Sequence, residues 1–302
     1  MKFFVTGANG QLGRDVMNEL YERGLEAIGS GSRPCCEIGA ARVMPYVQLD
    51  ISDAEAVGKT LDRLRPDVVV HCAAWTAVDA AEEDENLDRV WAVNAQGTGN
   101  IAEGCRRLGC KLIYISTDYV FDGGGETPRR PEEQDFSPLN MYGKSKLAGE
   151  QAVRELAEKY FIVRTAWVFG LNGGNFVKTM LRLAERGEPI RVVNDQMGRP
   201  TYTKDLARLL ADMALTEKYG CYHATNQGGY ISWYDFACEI FRQAGKNVDV
   251  LPVSSRDYGV SRAARPLNSR LDCGKLAEAG FALLPNWRDA LARYLKEIEN
   301  GA

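Results

Sequence analysis

The chain opens on Lys2-Phe3-Phe4-Val5-Thr6, the makings of a buried strand, and passes straight into glycines at positions 7, 10 and 13. Of all its features, this one most restricts the fold. Glycines at that spacing let the backbone turn tightly and bring a strand end close to a following helix. Leu12, Val16, Met17 and Leu20 then recur at helical spacing up to Gly24, so the opening reads as strand, tight turn and amphipathic helix.

The same alternation continues. Leu25 to Ile28, Val47 to Leu49, Asp67 to Cys72, Leu112 to Ser116 and Phe161 to Thr165 read as strands, with Ala54 to Leu64 a helix among those between. Each right-handed crossover must lay its helix over the sheet, which predicts a doubly wound α/β fold with a parallel sheet covered on both faces. Past residue 166 the regularity fades. Residues 1–166 are therefore expected to form a dinucleotide-binding domain, and 167–302 mainly a substrate-binding lobe able to return segments to the first domain. Ser30 to Ala41 and Gly123 to Gln134 are expected to be the least ordered stretches.

A chain of 302 residues with 45% hydrophobic content can bury a sizeable core. Its formal net charge of -4 offers no bulk attraction to nucleic acid or to an acidic membrane. The apolar run at the start is too short for a signal peptide and no segment has membrane length, so the expected partners are small molecules and the expected compartment the cytoplasm. Eight cysteines without a C-x-x-C pair point to reduced thiols. His71 and His223 lack ligand-spaced companions, so no zinc site is expected, and His71 reads as the end of a buried strand.

The glycine turn, lying directly after a strand and before a helix, predicts a site for a dinucleotide pyrophosphate, with Gly7, Gly10 and Gly13 allowing close approach and Asn9, Gln11 and Leu12 adding backbone contacts. A cofactor with a free ribose 2′-hydroxyl usually meets an acid at the end of the second strand. Here Ile28 leads instead into Gly29-Ser30-Gly31-Ser32-Arg33. Ser30, Ser32 and Arg33 suit a 2′-phosphate, which favours NADPH over NADH; the alternative is a plain solvated turn. Asp50 and Ile51 are placed to bracket the adenine, or else Asp50 shares a helix-capping role with Ser52 and Asp53.

Reduction of a ketone needs a proton for the oxygen as well as a hydride for the carbon. A tyrosine, with its ordinary pKa of about 10, becomes a useful donor when a cation lowers that value. Tyr142 and Lys146 are four residues apart in a helical segment and so share a face. Thr117, ending a strand, can add a hydrogen bond to the substrate oxygen. A Tyr-x-x-x-Lys pair alone would be an ordinary surface pair; with the glycine turn and Ser116-Thr117-Asp118 before it, a catalytic trio is the stronger reading.

Several stretches carry a family resemblance: Val5 to Gly13, His71 to Asp79, Asn94, Ser116 to Phe121, Pro138 to Gly143, Arg164 to Val168, Asn194 to Thr201 and Arg265 to Asp272. Through these the chain resembles the extended short-chain dehydrogenase/reductase superfamily, Rossmann-like in fold, and within it the dTDP-4-dehydrorhamnose reductases. The resemblance implies that Tyr142 protonates the C4 oxygen while a nicotinamide delivers hydride to C4, with Thr117 assisting and Lys146 also holding the nicotinamide ribose. It implies cofactor contacts from Ala73, Ala74, Trp75, Thr76 and Ile115, a relay role for Asn94, and sugar-nucleotide contacts from Val78, Asp118, Tyr119 and Trp167. Related dehydratases resemble Thr-Asp-Glu where this chain has Thr117-Asp118-Tyr119, so simple reduction of dTDP-4-dehydro-β-L-rhamnose, for cell-surface polysaccharide, is implied over dehydration.

Some members of that family share a magnesium ion at a dimer interface. Here the matching places hold Asp15 and, near Pro200-Thr201, Lys204, whose charge would repel a cation; no metal is expected, and a monomer or a homodimer remains open. Other readings are a reductase of a different nucleotide-linked 4-keto sugar, or a non-catalytic regulatory subunit resembling methionine adenosyltransferase β, against which the complete trio argues.

Overall fold

The structure, a computed structural model, describes residues 1–33, 44–259 and 261–301. Cys35, Cys36 and most of the Ser30 to Ala41 stretch lie outside the described residues.

Six strands alternate with helices through the first half: β1 (Lys2–Thr6), α1 (Gln11–Glu22), β2 (Glu26–Gly31), β3 (Tyr46–Gln48), α2 (Ala54–Leu64), β4 (Val68–His71), α3 (Leu87–Trp91), α4 (Gly97–Leu108), β5 (Lys111–Thr117), α5 (Met141–Leu156) and β6 (Tyr160–Thr165). With a strand from the second half, Gly220–His223, they build one seven-stranded sheet in the order Gly220–His223, β6, β5, β4, β1, β2, β3. Each neighbouring pair in it is parallel. This is the doubly wound, Rossmann-like architecture. The central strands are buried on both faces, which is why Phe3-Phe4-Val5, Val68-Val69-Val70 and Leu112-Ile113-Tyr114 read as continuous apolar runs.

Two cores flank the sheet. On one face Phe3, Val5 and Val70 pack with Leu12, Val16 and Leu20 of α1 and with Leu206 and Leu210 of the helix Thr203–Ala214; on the other, Phe4, Val69 and Leu112 meet Val57 and Leu61 of α2 and Ile101 of α4. At about 1.5–3 kcal/mol for each fully buried large apolar side chain, these layers hold the sheet in place. A third core, with Phe169, Tyr202, Phe236, Trp287 and Tyr294, belongs to the second half. That half is not self-contained: Gly220–His223 pairs with β6, and Thr203–Ala214 lies on α1.

Strand boundaries shift slightly from the expected ones, and one shift matters. The second strand continues through Gly31, because Ser30 pairs with Thr6 on one side and Val47 on the other. Ladder pairing carries the strand through residues of poor β propensity. The Gly123 to Gln134 stretch, expected to be among the least ordered, is pinned: Arg129 pairs with Asp122, Glu133 and Asp135, and Asn268 donates to the carbonyls of Gly124 and Thr127.

Candidate active site

The chain starts at the middle of its sheet, runs outward to β3, and crosses back to β4 on the other side of β1. The C-terminal ends of β1 and β4 thus flank the point where the winding reverses, the usual place for a ligand crevice in such sheets. Gly7 ends β1 there with φ +65°. A Cβ on it would sit 2.7 Å from the Ala73 nitrogen, and one on Gly13 would sit 2.2 Å from the Gly7 carbonyl oxygen. Both glycines are therefore demanded by the packing of the turn against the chain itself.

The turn also leaves α1 uncapped. Gly10 at its N-cap offers no side-chain hydrogen bond, and its first turn holds no acid. Free N–H groups at a helix start, at the switch point, fit an anionic pyrophosphate. Around it, Asn9 is exposed and donates to the Tyr46 hydroxyl at 3.1 Å, while Gln11 bonds the Gly174 carbonyl and Asn175 of the second half. The Leu12 side chain is core, which leaves its backbone alone for a ligand.

At the adenosine end the expected residues differ in exposure. Ser30 lies inside β2 and is wholly buried, so among Ser30, Ser32 and Arg33 only the last two present side chains at the surface. The Ile51 side chain packs with residues of α2 and α4. Asp50 is exposed but its carboxylate accepts from the backbone and hydroxyl of Ser52, and the α2 cap is Asp53 alone, accepting from Ala56 at 2.9 Å. Directly past β2, Gly31 leads to Ser32 and Arg33, and neither is an acid.

After β4, the loop Ala73-Ala74-Trp75-Thr76 runs along the crevice. It is fixed at both ends of the motif: the Ala73 N–H donates to Thr6 Oγ1, and Asn94 accepts from the Trp75 N–H at 2.8 Å while donating to its carbonyl. Asn94 sits in a widened helical turn, Ala92–Gln96, and also donates to Ser145 of α5 at 3.0 Å. One buried amide thereby ties the loop to the helix carrying Tyr142. His71 does end its strand buried, between Thr6 and Thr98, and burial drives its pKa down to about 3.

Helix α5 starts at Met141 because Asn140 caps it, accepting from the Gly143 N–H at 2.8 Å, and because Glu82 accepts from the Met141 N–H. A Cβ at position 143 would meet the Tyr119 carbonyl at 2.3 Å, so glycine lets the first turn of α5 lie against the turn after β5. That approach brings Tyr142 to Thr117, whose hydroxyl contacts the phenol. One turn on, the buried Lys146 donates to the Ile115 carbonyl at 2.7 Å and lies 4.1 Å over the Tyr114 ring. The trio Thr117, Tyr142 and Lys146 thus converges at the end of β5.

Electrostatics here differ from the sequence expectation. Burial pushes the Tyr142 phenol well above its usual range, opposed by Thr117, and Lys146 is not among the groups that lower it. Burial lowers Lys146 itself to about 7, with Glu150 opposing. Asp118, also buried, is raised to about 6 against hydrogen bonds from Ser269 and Thr117. Beneath the trio, Glu150 and Arg164 form a fully buried bidentate pair at 2.8 Å, and Ser116 donates to the same carboxylate at 2.6 Å.

The remaining expected substrate residues lie in the segments that follow β4, β5 and β6. Tyr119 meets Tyr142 edge-on with ring centroids 5.5 Å apart. Val78 is half-buried in the loop after β4. Trp167 adopts φ +51°, rare for a bulky residue, and stacks on Trp233 at 3.8 Å. Asp15 and Lys204 lie elsewhere, between α1, Thr203–Ala214 and the last helix: Thr203 donates to Asp15, and Lys204 pairs with Glu297 at 2.6 Å. Among the described residues no group of three or more His, Cys, Asp or Glu side chains is arranged to hold a metal.

Sequence reasoning gave no role to Arg265, Ser269, Glu150 or Arg164. Glu150 had a readable signal, one helical turn after Lys146. Arg265 and Ser269 stand in a stretch quoted for its resemblance, but nothing local says which residues they meet.

The chain is similar to known proteins over nearly its whole length. A dTDP-4-dehydrorhamnose reductase of Streptomyces griseus is 42% identical over 300 residues, covering 96% of this chain and 91% of its own. A dTDP-4-keto-6-deoxy-D-glucose reductase of Streptomyces niveus is 39% identical, covering 97% and 96%. The crystal structure of dTDP-4-dehydrorhamnose reductase from Bacillus anthracis in complex with NADP superposes with a TM-score of 0.89 at 41% identity, over 98% of this chain and all of that one. The family model described as RmlD substrate binding domain matches residues 1–300, and this protein belongs to that family, that of the dTDP-4-dehydrorhamnose reductases.

Proposed function

We propose that this protein is an NAD(P)H-dependent oxidoreductase that reduces the C4 ketone of dTDP-4-dehydro-β-L-rhamnose to dTDP-β-L-rhamnose in the cytoplasm, for cell-surface polysaccharide, with NADPH preferred. The observation that carries the reading is the meeting of Thr117, Tyr142 and Lys146 at the end of β5, beside the uncapped start of α1. The full-length relatives named for this reaction, one of them holding NADP, support it.

The nicotinamide, when bound, supplies the hydride. Gly7 to Gly13 and the α1 start would hold its pyrophosphate, Ser30, Ser32 and Arg33 its 2′-phosphate, Asp50 and Ile51 its adenine, and Ala73 to Thr76, Ile115 and Asn94 its nicotinamide side. Tyr142 then releases its proton to the ketone oxygen, and Thr117 orients that oxygen. Lys146, one turn further along α5, holds the nicotinamide ribose. Asp118, Tyr119, Val78 and Trp167 hold the sugar nucleotide. Cofactor binding would rest on residues 1–166 with the returning strand Gly220–His223, and substrate binding mainly on 167–302.

The likeness to a dTDP-4-keto-6-deoxy-D-glucose reductase favours a second reading, a ketone of the same class with different stereochemistry. One experiment separates these. Purified protein is mixed with dTDP-4-dehydro-β-L-rhamnose and either NADPH or NADH, and absorbance at 340 nm is followed. Rapid loss with formation of dTDP-β-L-rhamnose, faster with NADPH, is expected. Activity only on another keto sugar moves the assignment to the second reading, and NADPH binding without turnover of any ketone overturns both.

A further inference from the structure

Two motif residues have no place in the reaction as described: Asp79, which closes the stretch after β4, and Arg265, which opens the Arg-Pro stretch near the C-terminus. The structure makes them partners across 186 residues, with Arg265 Nη2 2.5 Å from Asp79 Oδ2. Asp79 is a hub for the returning chain. Its other oxygen accepts from the Ser261 hydroxyl at 2.8 Å and the Ala263 N–H at 3.1 Å. Arg262 pairs with Glu83, and Asn140, the cap of α5, donates to the Ala264 carbonyl. Residues 261–265 are thereby strapped to the loop after β4 and to the start of the helix bearing Tyr142.

Arg265 reaches from that strap to Tyr119, in the turn after β5. Its Nη1 donates to the Tyr119 hydroxyl at 3.2 Å, and its Nε donates to Ser261 at 3.0 Å. All three guanidinium nitrogens have protein partners. Tyr119, whose oxygen accepts from a cation, keeps its own O–H to offer. Its ring is held edge-on to Tyr142. A nucleotide-linked keto sugar presents many oxygen acceptors, and a hydroxyl held by a donor at its oxygen is oriented to offer its O–H to one of them.

We propose that Arg265 is a positioning residue for substrate: anchored by Asp79, it holds the Tyr119 hydroxyl in place as a hydrogen-bond donor to the sugar nucleotide, and it acts through Tyr119 without touching the ligand. The inference rests on the reductase reading above and adds the device that orients the substrate. It makes Arg265 a residue of substrate affinity, with little part in the proton or hydride transfers.

The test is a double-mutant cycle on the full chain with Arg265→Met, Tyr119→Phe and the double variant. It measures KM for dTDP-4-dehydro-β-L-rhamnose, kcat, NADPH affinity and calorimetric binding of dTDP-β-L-rhamnose. Loss of one well-placed hydrogen bond predicts a KM increase of about tenfold in each single variant. The double variant should be no worse than Tyr119→Phe, with NADPH affinity unchanged and kcat nearly so. Multiplying penalties, roughly a hundredfold in the double variant, would mean that Arg265 acts on the ligand by itself and would overturn the inference. So would an unchanged KM in Arg265→Met, or a loss confined to kcat.

Should Arg265→Met fail to bind NADPH, and so fail to fold, Arg265→Lys and Asp79→Asn carry the test. A lysine keeps the charge but cannot span Asp79 and Tyr119 as the planar fork does. Both variants are expected to raise KM with NADPH affinity intact, and wild-type KM in both would overturn the inference. Silence of the wild-type protein towards the keto sugar would overturn the reductase reading, and the inference with it; wild-type turnover with multiplying penalties overturns the inference alone.

Discussion

At the cofactor end of the crevice, distant parts of the chain meet because side chains are missing; at the reaction end they meet through side chains that are costly to bury. Gly7 and Gly13 let the first turn lie against Ala73 and against itself, with 2.7 and 2.2 Å left where a Cβ would go. Across the crevice, Lys146, Asp118, Glu150 and Arg164 are all withdrawn from water. A glycine motif is thus explained by packing whether or not a ligand comes. A buried lysine one helical turn from a half-buried tyrosine has no such structural excuse, since removing an ammonium from water costs several kcal/mol that apolar side chains would not. The second region is therefore the better witness to function.

Substitutions can break this contrast. The largest effect is expected for Tyr142→Phe. Removing only the phenolic proton should lower kcat by about 10²- to 10⁴-fold with the melting temperature and NADPH affinity close to wild type. Steady-state kinetics beside a cofactor titration would decide it, and near-normal turnover would remove Tyr142 from the mechanism.

Gly13→Ala should behave in the opposite way. With backbone on the far side of the added methyl, the turn cannot yield cheaply, and a stability loss of about 3 kcal/mol is expected in urea unfolding. Unaltered stability would show that the motif serves the ligand and not the fold.

A subtler change sharpens the electrostatic half of the comparison. Lys146, lowered by burial to about 7, is charged below that pH and neutral above it, so kcat/KM of the free protein should fall as pH rises through about 7. Glu150 opposes the lowering, so Glu150→Gln, which keeps hydrogen-bonding atoms but drops the charge, should move that descending limb to lower pH. A limb that stays in place or moves upward would show that Glu150 braces Arg164 without tuning Lys146.

Much of the first half was legible without coordinates. Ala54–Leu64 matches its expected helix end to end, and the sheet strands fall within a few residues of their apolar runs, because burial on both faces forces such runs. The trio was legible for a related reason: Tyr142 and Lys146 lie one turn apart on a single helix, and that α-helix is the next one after the strand ending in Thr117. Legibility failed where the ladder overrode local preference. Ser30 looked like loop, yet pairing with β1 and β3 draws it into the strand and buries it.

What the amino-acid sequence by itself determined is the part governed by short-range periodicity: the alternation of strand and helix, the glycine turn at the first of them, and the shared face of Tyr142 and Lys146. Tertiary structure alone decided which distant residues meet. Arg265 reaches Tyr119 and Asp79, Ser269 reaches Asp118, and Asn94 reaches both Trp75 and Ser145. These pairs span 19 to 186 residues, separations at which no helical or strand period survives, so their pairing is set by how the packed layers return the chain to the sheet.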